Sequence, residues 1–151
     1  MNKEIIQKII EKEIPIVKSM GVEFSNFSHD SCTIIVPLEP NHNHKGTAFG
    51  GSLYSACTSA CYGLMFALQR EDDLSEFELM IGEGSIRYIK PVEKDFFVEA
   101  NLLPEDWILL KEKIQKNGFG KISLSAFVYT QERSQHLCEY RATFILKKIQ
   151  E

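Results

Sequence analysis

Isoleucine recurs at helical spacing near the start of the chain: Ile5, Ile6, Ile9, Ile10 and Ile14 stand among lysines and glutamates. That periodicity predicts a short amphipathic helix ended near Pro15. Two extended runs follow, 22–28 and 32–38, and His29-Asp30-Ser31 between them suits a hairpin turn. Pro37 and Pro40 close the second run. Residues 41–51 form a polar loop that carries Gly46, Gly50 and Gly51. From about Ser52 to Gln69 the chain has no charged residue, and a helix there would be apolar nearly all round. Such a helix belongs at the centre of a core. Glu71-Asp72-Asp73 then marks a solvated break.

The second half reads as strands. Residues 79–90 are extended but interrupted by Gly82 and Gly84, which predicts a bulge or a close approach of backbone. Phe96, Val98, Ala100 and Leu102 alternate with Phe97, Glu99 and Asn101. Ile122, Leu124, Ala126 and Val128 alternate with Ser123, Ser125, Phe127 and Tyr129. Cys138, Tyr140, Ala142, Phe144 and Leu146 alternate with Glu139, Arg141, Thr143, Ile145 and Lys147. Each is the period-2 pattern of a strand with one buried face. Between the first two, Trp107, Leu110, Lys111 and Ile114 follow helical spacing, and Asn117-Gly118 ends that segment. The order α-β-β-α-β-β-(α)-β-β, with one helix far more apolar than any other element, predicts an α+β chain. In it, an antiparallel sheet wraps a single buried helix.

The 151 residues and 17.3 kDa favour one domain over 1–151, with an N-terminal helix at 1–14 and a helical insertion at 104–118. A net charge of −4 argues against a dedicated nucleic-acid binder, which needs a basic face to displace counterions. Cys32, Cys57, Cys61 and Cys138 show no CxxC spacing, and the first residues carry no apolar signal-peptide core. The expectation is reduced thiols and a cytoplasmic protein. Residues 48–68 could span a bilayer by length alone. However, Gly50, Gly51, Ser52, Ser55, Thr58, Ser59 and Gly63 within them favour a soluble core over a membrane segment.

The densest chemistry is the run Asn41-His42-Asn43-His44-Lys45-Gly46-Thr47-Ala48-Phe49-Gly50-Gly51. It ends at the N-terminus of the buried helix, where free N–H groups and the helix dipole stabilise negative charge. Paired glycines let a ligand approach the backbone without a Cβ in the way. An ester or thioester carbonyl there would meet an oxyanion hole. The same glycines also suit a tight loop-to-helix turn with no ligand, and the pattern alone leaves both readings open.

The run Asn43-His44-Lys45-Gly46-Thr47-Ala48-Phe49-Gly50-Gly51 resembles the N-x-x-G-x-x-H-G-G segment of hotdog-fold acyl-CoA thioesterases. It is more similar still to the thioesterase family known as the YiiD carboxy-terminal domain, whose N-H-K-G-T-A-F-G-G-S-L-Y run matches Asn43 through Tyr54. That family's S-I-R-Y-x-x-P-V motif resembles Ser85 through Val92, and its Trp-bearing helical insertion resembles 103–118. The likeness extends over about 14–148.

The resemblance implies a hotdog fold, side-by-side homodimers through an edge strand (often paired into tetramers) and active sites at the dimer interface. It places the amide donors on Gly50 and Gly51, and the residue that orients water or substrate on Asn43. It also implies an acyl-CoA or acyl-carrier-protein substrate, with coenzyme A entering as part of the substrate and no separate cofactor.

Two departures stand out. Phe49 replaces the histidine many hotdog thioesterases carry before the glycines. Thr58 stands where many have the Asp or Glu that acts as base or nucleophile. A threonine hydroxyl can position water, and it becomes a nucleophile only with an adjacent base. Glu83 is the nearest substitute carboxylate. Ser55 and Ser59 would complete a polar pocket with Thr58, and Phe49, Lys45, Ser85 and Arg87 are the candidate substrate-binding residues. Lys45, Arg87 and Lys90 could meet coenzyme A phosphates. Cys57, Cys61, Leu64 and Met65 would line an acyl tunnel or fill the core. His42, His44, Cys57 and Cys61 include zinc-ligand types, but loop and helix need not bring them together, so no metal is expected. The leading expectation is a thioesterase. The alternatives are a non-catalytic acyl-binding module and, last, a hotdog dehydratase.

Overall fold

The computed structural model describes residues 1–150. It has α1 (Lys3–Glu13), α2 (Pro15–Ser19), β1 (Glu23–Phe27), β2 (Ser31–Val36), α3 (Gly50–Glu71), β3 (Phe77–Tyr88), β4 (Phe96–Asn101), α4 (Pro104–Asn117), β5 (Phe119–Tyr129) and β6 (Cys138–Lys148). The six strands make one antiparallel sheet in the order β1-β2-β4-β5-β6-β3. The sheet curls around α3, which contacts every one of its strands. An antiparallel sheet around one buried helix is what the alternating runs and the charge-free helix predicted, and it is the hotdog fold that the resemblance implied.

The N-terminal helix ends near Pro15 as expected, and the segment holds one further element. The first helix stops at Glu13, and a second, one-turn helix starts at Pro15. Proline ends one helix because it has no N–H to give. It opens the next because the first helical N–H has no partner in any case.

Buried faces follow the alternation. Val98, Ala100, Leu124, Ala126, Val128, Tyr140, Ala142, Phe144 and Leu146 turn inward, and Ala56, Cys57, Ala60, Cys61, Leu64 and Met65 of α3 meet them. α3 is built of small residues on its packed faces, so strands come close: a Cβ at Gly63 would lie 2.3 Å from the Phe24 ring. Gly82 and Gly84 serve different ends. The register of β3 against β6 slips at Gly82, the predicted bulge. Gly84 is the close approach, since a Cβ there would sit 2.3 Å from Tyr54 Oη.

α4 runs back along β5, with Leu110 and Ile114 near Gly120. Trp107 Nε1 donates to Asp72 Oδ2 at 2.7 Å, which joins α4 to the C-cap of α3. Gly118, at φ +74°, ends α4 in the left-handed conformation, as Asn117-Gly118 predicted. Among the described residues no helix is long and apolar enough to cross a membrane.

Candidate active site

The loop before α3 is fastened from several sides. Asn41 lies buried and its Nδ2 donates to the Met20 and Pro37 carbonyls, each at 2.8 Å. Its carbonyl accepts from Phe49 N at 2.7 Å, while Ala48 N donates to the Val92 carbonyl. Asn43 organises the turn between these anchors. Its Oδ1 accepts from Lys45 N and Thr47 N, and its Nδ2 donates to Thr47 Oγ1 at 2.9 Å. One Nδ2 proton remains uncommitted in these bonds.

This scaffold delivers Phe49 as the N-cap of α3. Phenylalanine has no side-chain acceptor to cap a helix. Leu53 N is the first amide bonded back, to the Phe49 carbonyl at 3.0 Å. Among the described residues nothing accepts from the amides of Gly50, Gly51 or Ser52. Three free N–H groups therefore stand at the positive end of a 22-residue helix. Both glycines are shaped by neighbours. A Cβ at Gly50 would lie 3.3 Å from Tyr88 Oη, and one at Gly51 would lie 2.6 Å from the Phe49 ring. Tyr88 Oη donates to the Gly50 carbonyl at 2.8 Å and ties the end of β3 to this turn.

Thr58 faces β6, where its Oγ1 lies 2.7 Å from Tyr140 Oη and donates to the Tyr54 carbonyl at 3.0 Å. Tyr140 packs edge-on against Tyr54, with ring centroids 5.3 Å apart. Ser59 Oγ donates to the Ser55 carbonyl, a local helix bond. Cys57, Cys61, Leu64 and Met65 are fully buried core residues. Burial, with Cys61 and Cys138 nearby, pushes the Cys57 thiol well above the ordinary range. It stays protonated at neutral pH and is a poor nucleophile.

Three of the expected residues do not join this group within one chain. Tyr140 and Ala142 turn inward, so Arg141 and Thr143 turn outward, and they pair with Ser85 and Glu83 respectively. Glu83 and Ser85 thus line a cavity of about 440 Å³ with Arg141 on the face away from α3. Arg87, on the same outer face, pairs with Glu139 at 3.4 Å. The placement follows from strand parity: with Gly84 and Ile86 toward the helix, 83, 85 and 87 point away. Lys45 is exposed on the loop. His42 Nδ1 is bonded to the Asn43 carbonyl, and among the described residues no three His, Cys, Asp or Glu side chains gather as metal ligands would.

The sequence reading missed the tyrosines. Tyr54 and Tyr88 both lie in runs already singled out for other residues, and Tyr140 was assigned only to a buried face. The hydroxyls that bring Tyr88 to Gly50 and Tyr140 to Thr58 are tertiary contacts that no local pattern reports.

A long helix wrapped by a six-stranded antiparallel sheet places the chain among hotdog-fold proteins. The chain belongs to the family described as "Putative thioesterase (yiiD_Cterm)", whose model matches residues 3–148. Solved structures share the fold. A protein of unknown function from Chlorobaculum tepidum superposes with a TM-score of 0.88 at 26% identity, covering 97% of this chain and 94% of that one. A "putative thioesterase" from Shewanella oneidensis gives 0.81 at 20% identity, covering 95% of each chain. A thioesterase from Haemophilus influenzae gives 0.73 at 14% identity, covering all of this chain and 94% of that one.

Proposed function

We propose that the protein hydrolyses an acyl thioester of coenzyme A or of an acyl carrier protein at the N-terminus of α3. The observation that carries this reading is the set of unbonded amides at Gly50, Gly51 and Ser52. The carbonyl oxygen sits on these donors. Water attacks the carbonyl carbon, the C–O bond forms and the carbonyl electron pair moves onto the oxygen, where the amides stabilise it. Collapse breaks the C–S bond. The thiolate takes up a water proton, leaving a free acid and a free thiol. Asn43 holds the loop that presents the amides, with one amide proton left for the substrate.

Thr58 lies seven residues beyond Gly51, about 10 Å along the helix at 1.5 Å per residue, so both cannot touch one carbonyl within one chain. A second copy resolves this. β3 is a sheet edge of 12 residues with Ile81 and Tyr88 exposed along it and Ile89 exposed just past its end. Pairing two copies at β3 satisfies the open edge and sets the glycine turn of one chain against the Thr58 region of the other.

The test is thiol release from a panel of short, long and aromatic acyl-CoAs and from acyl-carrier-protein thioesters, for wild type and Gly50→Val. Turnover in wild type that is lost in the folded variant supports the reading. Binding with no thiol release from any thioester supports the acyl-binding alternative, which the charge-free helix around Thr58 favours. Sedimentation of a monomer at assay concentration would remove the second copy from the site.

A further inference from the structure

We infer that Tyr140 is a positioning residue for the attacking water and acts through Thr58; the inference rests on the thioesterase reading above. A threonine hydroxyl has one proton to give and two lone pairs to accept with. The Thr58 proton is directed to the Tyr54 carbonyl. The 2.7 Å contact with Tyr140 must then carry the phenol proton into Thr58 Oγ1. One lone pair of Thr58 is taken, and one is left.

A hydroxyl held this way only accepts. It has no proton for an oxyanion. Its own proton rests on a backbone carbonyl rather than on a base, so it is not prepared to attack carbon. What it can do is accept one hydrogen of a water molecule. That fixes the water and leaves the oxygen lone pairs free to face a carbonyl. Tyr140 enforces the state because it cannot leave: it is 1% exposed, and Tyr54 packs edge-on against its ring. Burial raises its phenol far above the ordinary tyrosine range, which keeps the proton in place.

Gly84 on β3 completes the arrangement. A Cβ at that position would meet Tyr54 Oη at 2.3 Å and Tyr140 Oη at 3.3 Å. The glycine lets the two hydroxyls pack directly against edge strand β3. The Thr58–Tyr140 pair therefore does by hydrogen bonding part of what a carboxylate base would do. The water orientation is supplied, and the strong base is not.

The test is steady-state kinetics of the full chain on its best thioester, for wild type, Tyr140→Phe, Thr58→Val, Thr58→Ser and the double variant Tyr140→Phe/Thr58→Val. The expected result is a kcat about 10- to 100-fold lower in Tyr140→Phe and in Thr58→Val, with KM little changed, as misplacement of one reactant costs. Thr58→Ser keeps the hydroxyl and retains most of the rate. The double variant is no slower than Thr58→Val, because both remove one coupled unit. Intact-mass measurement during turnover finds no acyl group on the protein.

Wild-type kcat in Tyr140→Phe, losses that multiply in the double variant, or an acyl adduct on Thr58 would overturn the inference. If Tyr140→Phe fails to fold, Thr58→Val carries the decision, since it keeps the branched shape beside an intact Tyr140. Wild-type kcat there overturns it equally. A wild type that is inactive on every thioester defeats the thioesterase reading itself, and this inference with it. An active wild type with unaffected variants defeats the inference alone.

Discussion

Tyr88 Oη donates to the Gly50 carbonyl at 2.8 Å, so the last residue of edge strand β3 is tied to the first residue of the buried helix. The contact joins the two parts that the proposed site needs, the amides at the helix start and the edge where a second copy would pair. Tyr88→Phe removes the bond but keeps the ring. One neutral hydrogen bond at a partly exposed site contributes about 0.5–1.5 kcal/mol. The expected outcome is a loss of stability in that range by urea unfolding, together with a several-fold fall in kcat/KM. A variant that melts and turns over like wild type would show that the tie does not position Gly50.

Gly51 and Phe49 exclude each other in a similar way. A Cβ on residue 51 would lie 2.6 Å from the Phe49 ring, which is itself 56% exposed and free to swing. Gly51→Ala should therefore cost little stability, below about 1 kcal/mol for a surface shift, yet displace the ring that stands beside the amides. Activity should fall more than stability does. Phe49→Ala in the same chain removes the clash, and the two changes should be non-additive in kcat/KM. Strict additivity in a double-mutant cycle would separate the two residues.

Much of the fold was legible because burial and periodicity coincide. The three alternating runs became β4 to β6, the glycine-interrupted run became β3, and the helix without charges became the centre. What stayed hidden was of two kinds. The one-turn helix at Pro15 is too short for a periodic signal. The Thr58–Tyr140 bond joins residues on α3 and β6 that only the tertiary fold brings together. Glu83 is a different case, because the alternation did carry the answer. Ile86 turns toward the core, so 83, 85 and 87 must face away, but an edge strand exposes both faces and weakens that signal. The glycine turn shows the opposite. Its residues were found from sequence, whereas the absence of acceptors for three amides needed the coordinates.

Gly63 tests how closely the sheet approaches α3. Alanine in place of a mid-helix glycine ordinarily gains up to about 1 kcal/mol in helix propensity. Here the new Cβ would lie 2.3 Å from the ring of Phe24, which is 2% exposed and cannot yield as a surface side chain would. Overpacking of this sort costs roughly 1–3 kcal/mol. The net expectation is destabilisation by Gly63→Ala, with part of the loss recovered by Phe24→Leu. A more stable Gly63→Ala protein in thermal melts would mean that the β1 side of the core is loosely packed.

Asp72 links the C-terminal end of α3 to α4. Partial burial works against its charge, but the Trp107 indole bond and Lys111, with His29 further off, outweigh that and hold its carboxyl below the usual range. A carboxylate with a depressed folded pKa adds stability above its unfolded value near pH 4, and that stability is lost as pH falls through the folded value. Trp107→Phe keeps most of the buried ring and removes the indole donor. The expected cost at neutral pH is on the order of 1 kcal/mol, shrinking toward pH 3. A cost that stays constant from pH 7 to pH 3 would assign the loss to packing rather than to the charge.

The core thiols set the alkaline limit of the fold. Cys32, Cys57, Cys61 and Cys138 are all buried and free. Burial raises each above the ordinary thiol value, with Cys138 pushed up to about 11. In the unfolded chain these groups ionise near pH 8.5. Between that value and the folded one, the unfolded chain has lost protons that the fold still holds. Stability is therefore full below about pH 8.5 and declines as pH rises further. By pH 10 the Cys138 thiol withdraws about 2 kcal/mol, at 1.36 kcal/mol per unit. The other three buried thiols act in the same direction. Thermal melts in reductant should thus be flat from pH 7 to 8 and fall steeply by pH 10, with recovery on return to neutral pH. Cys138→Ala removes one ionising group and should make the decline shallower, despite a lower starting stability. A melting temperature unchanged up to pH 10 would mean that these thiols are not sealed in the core.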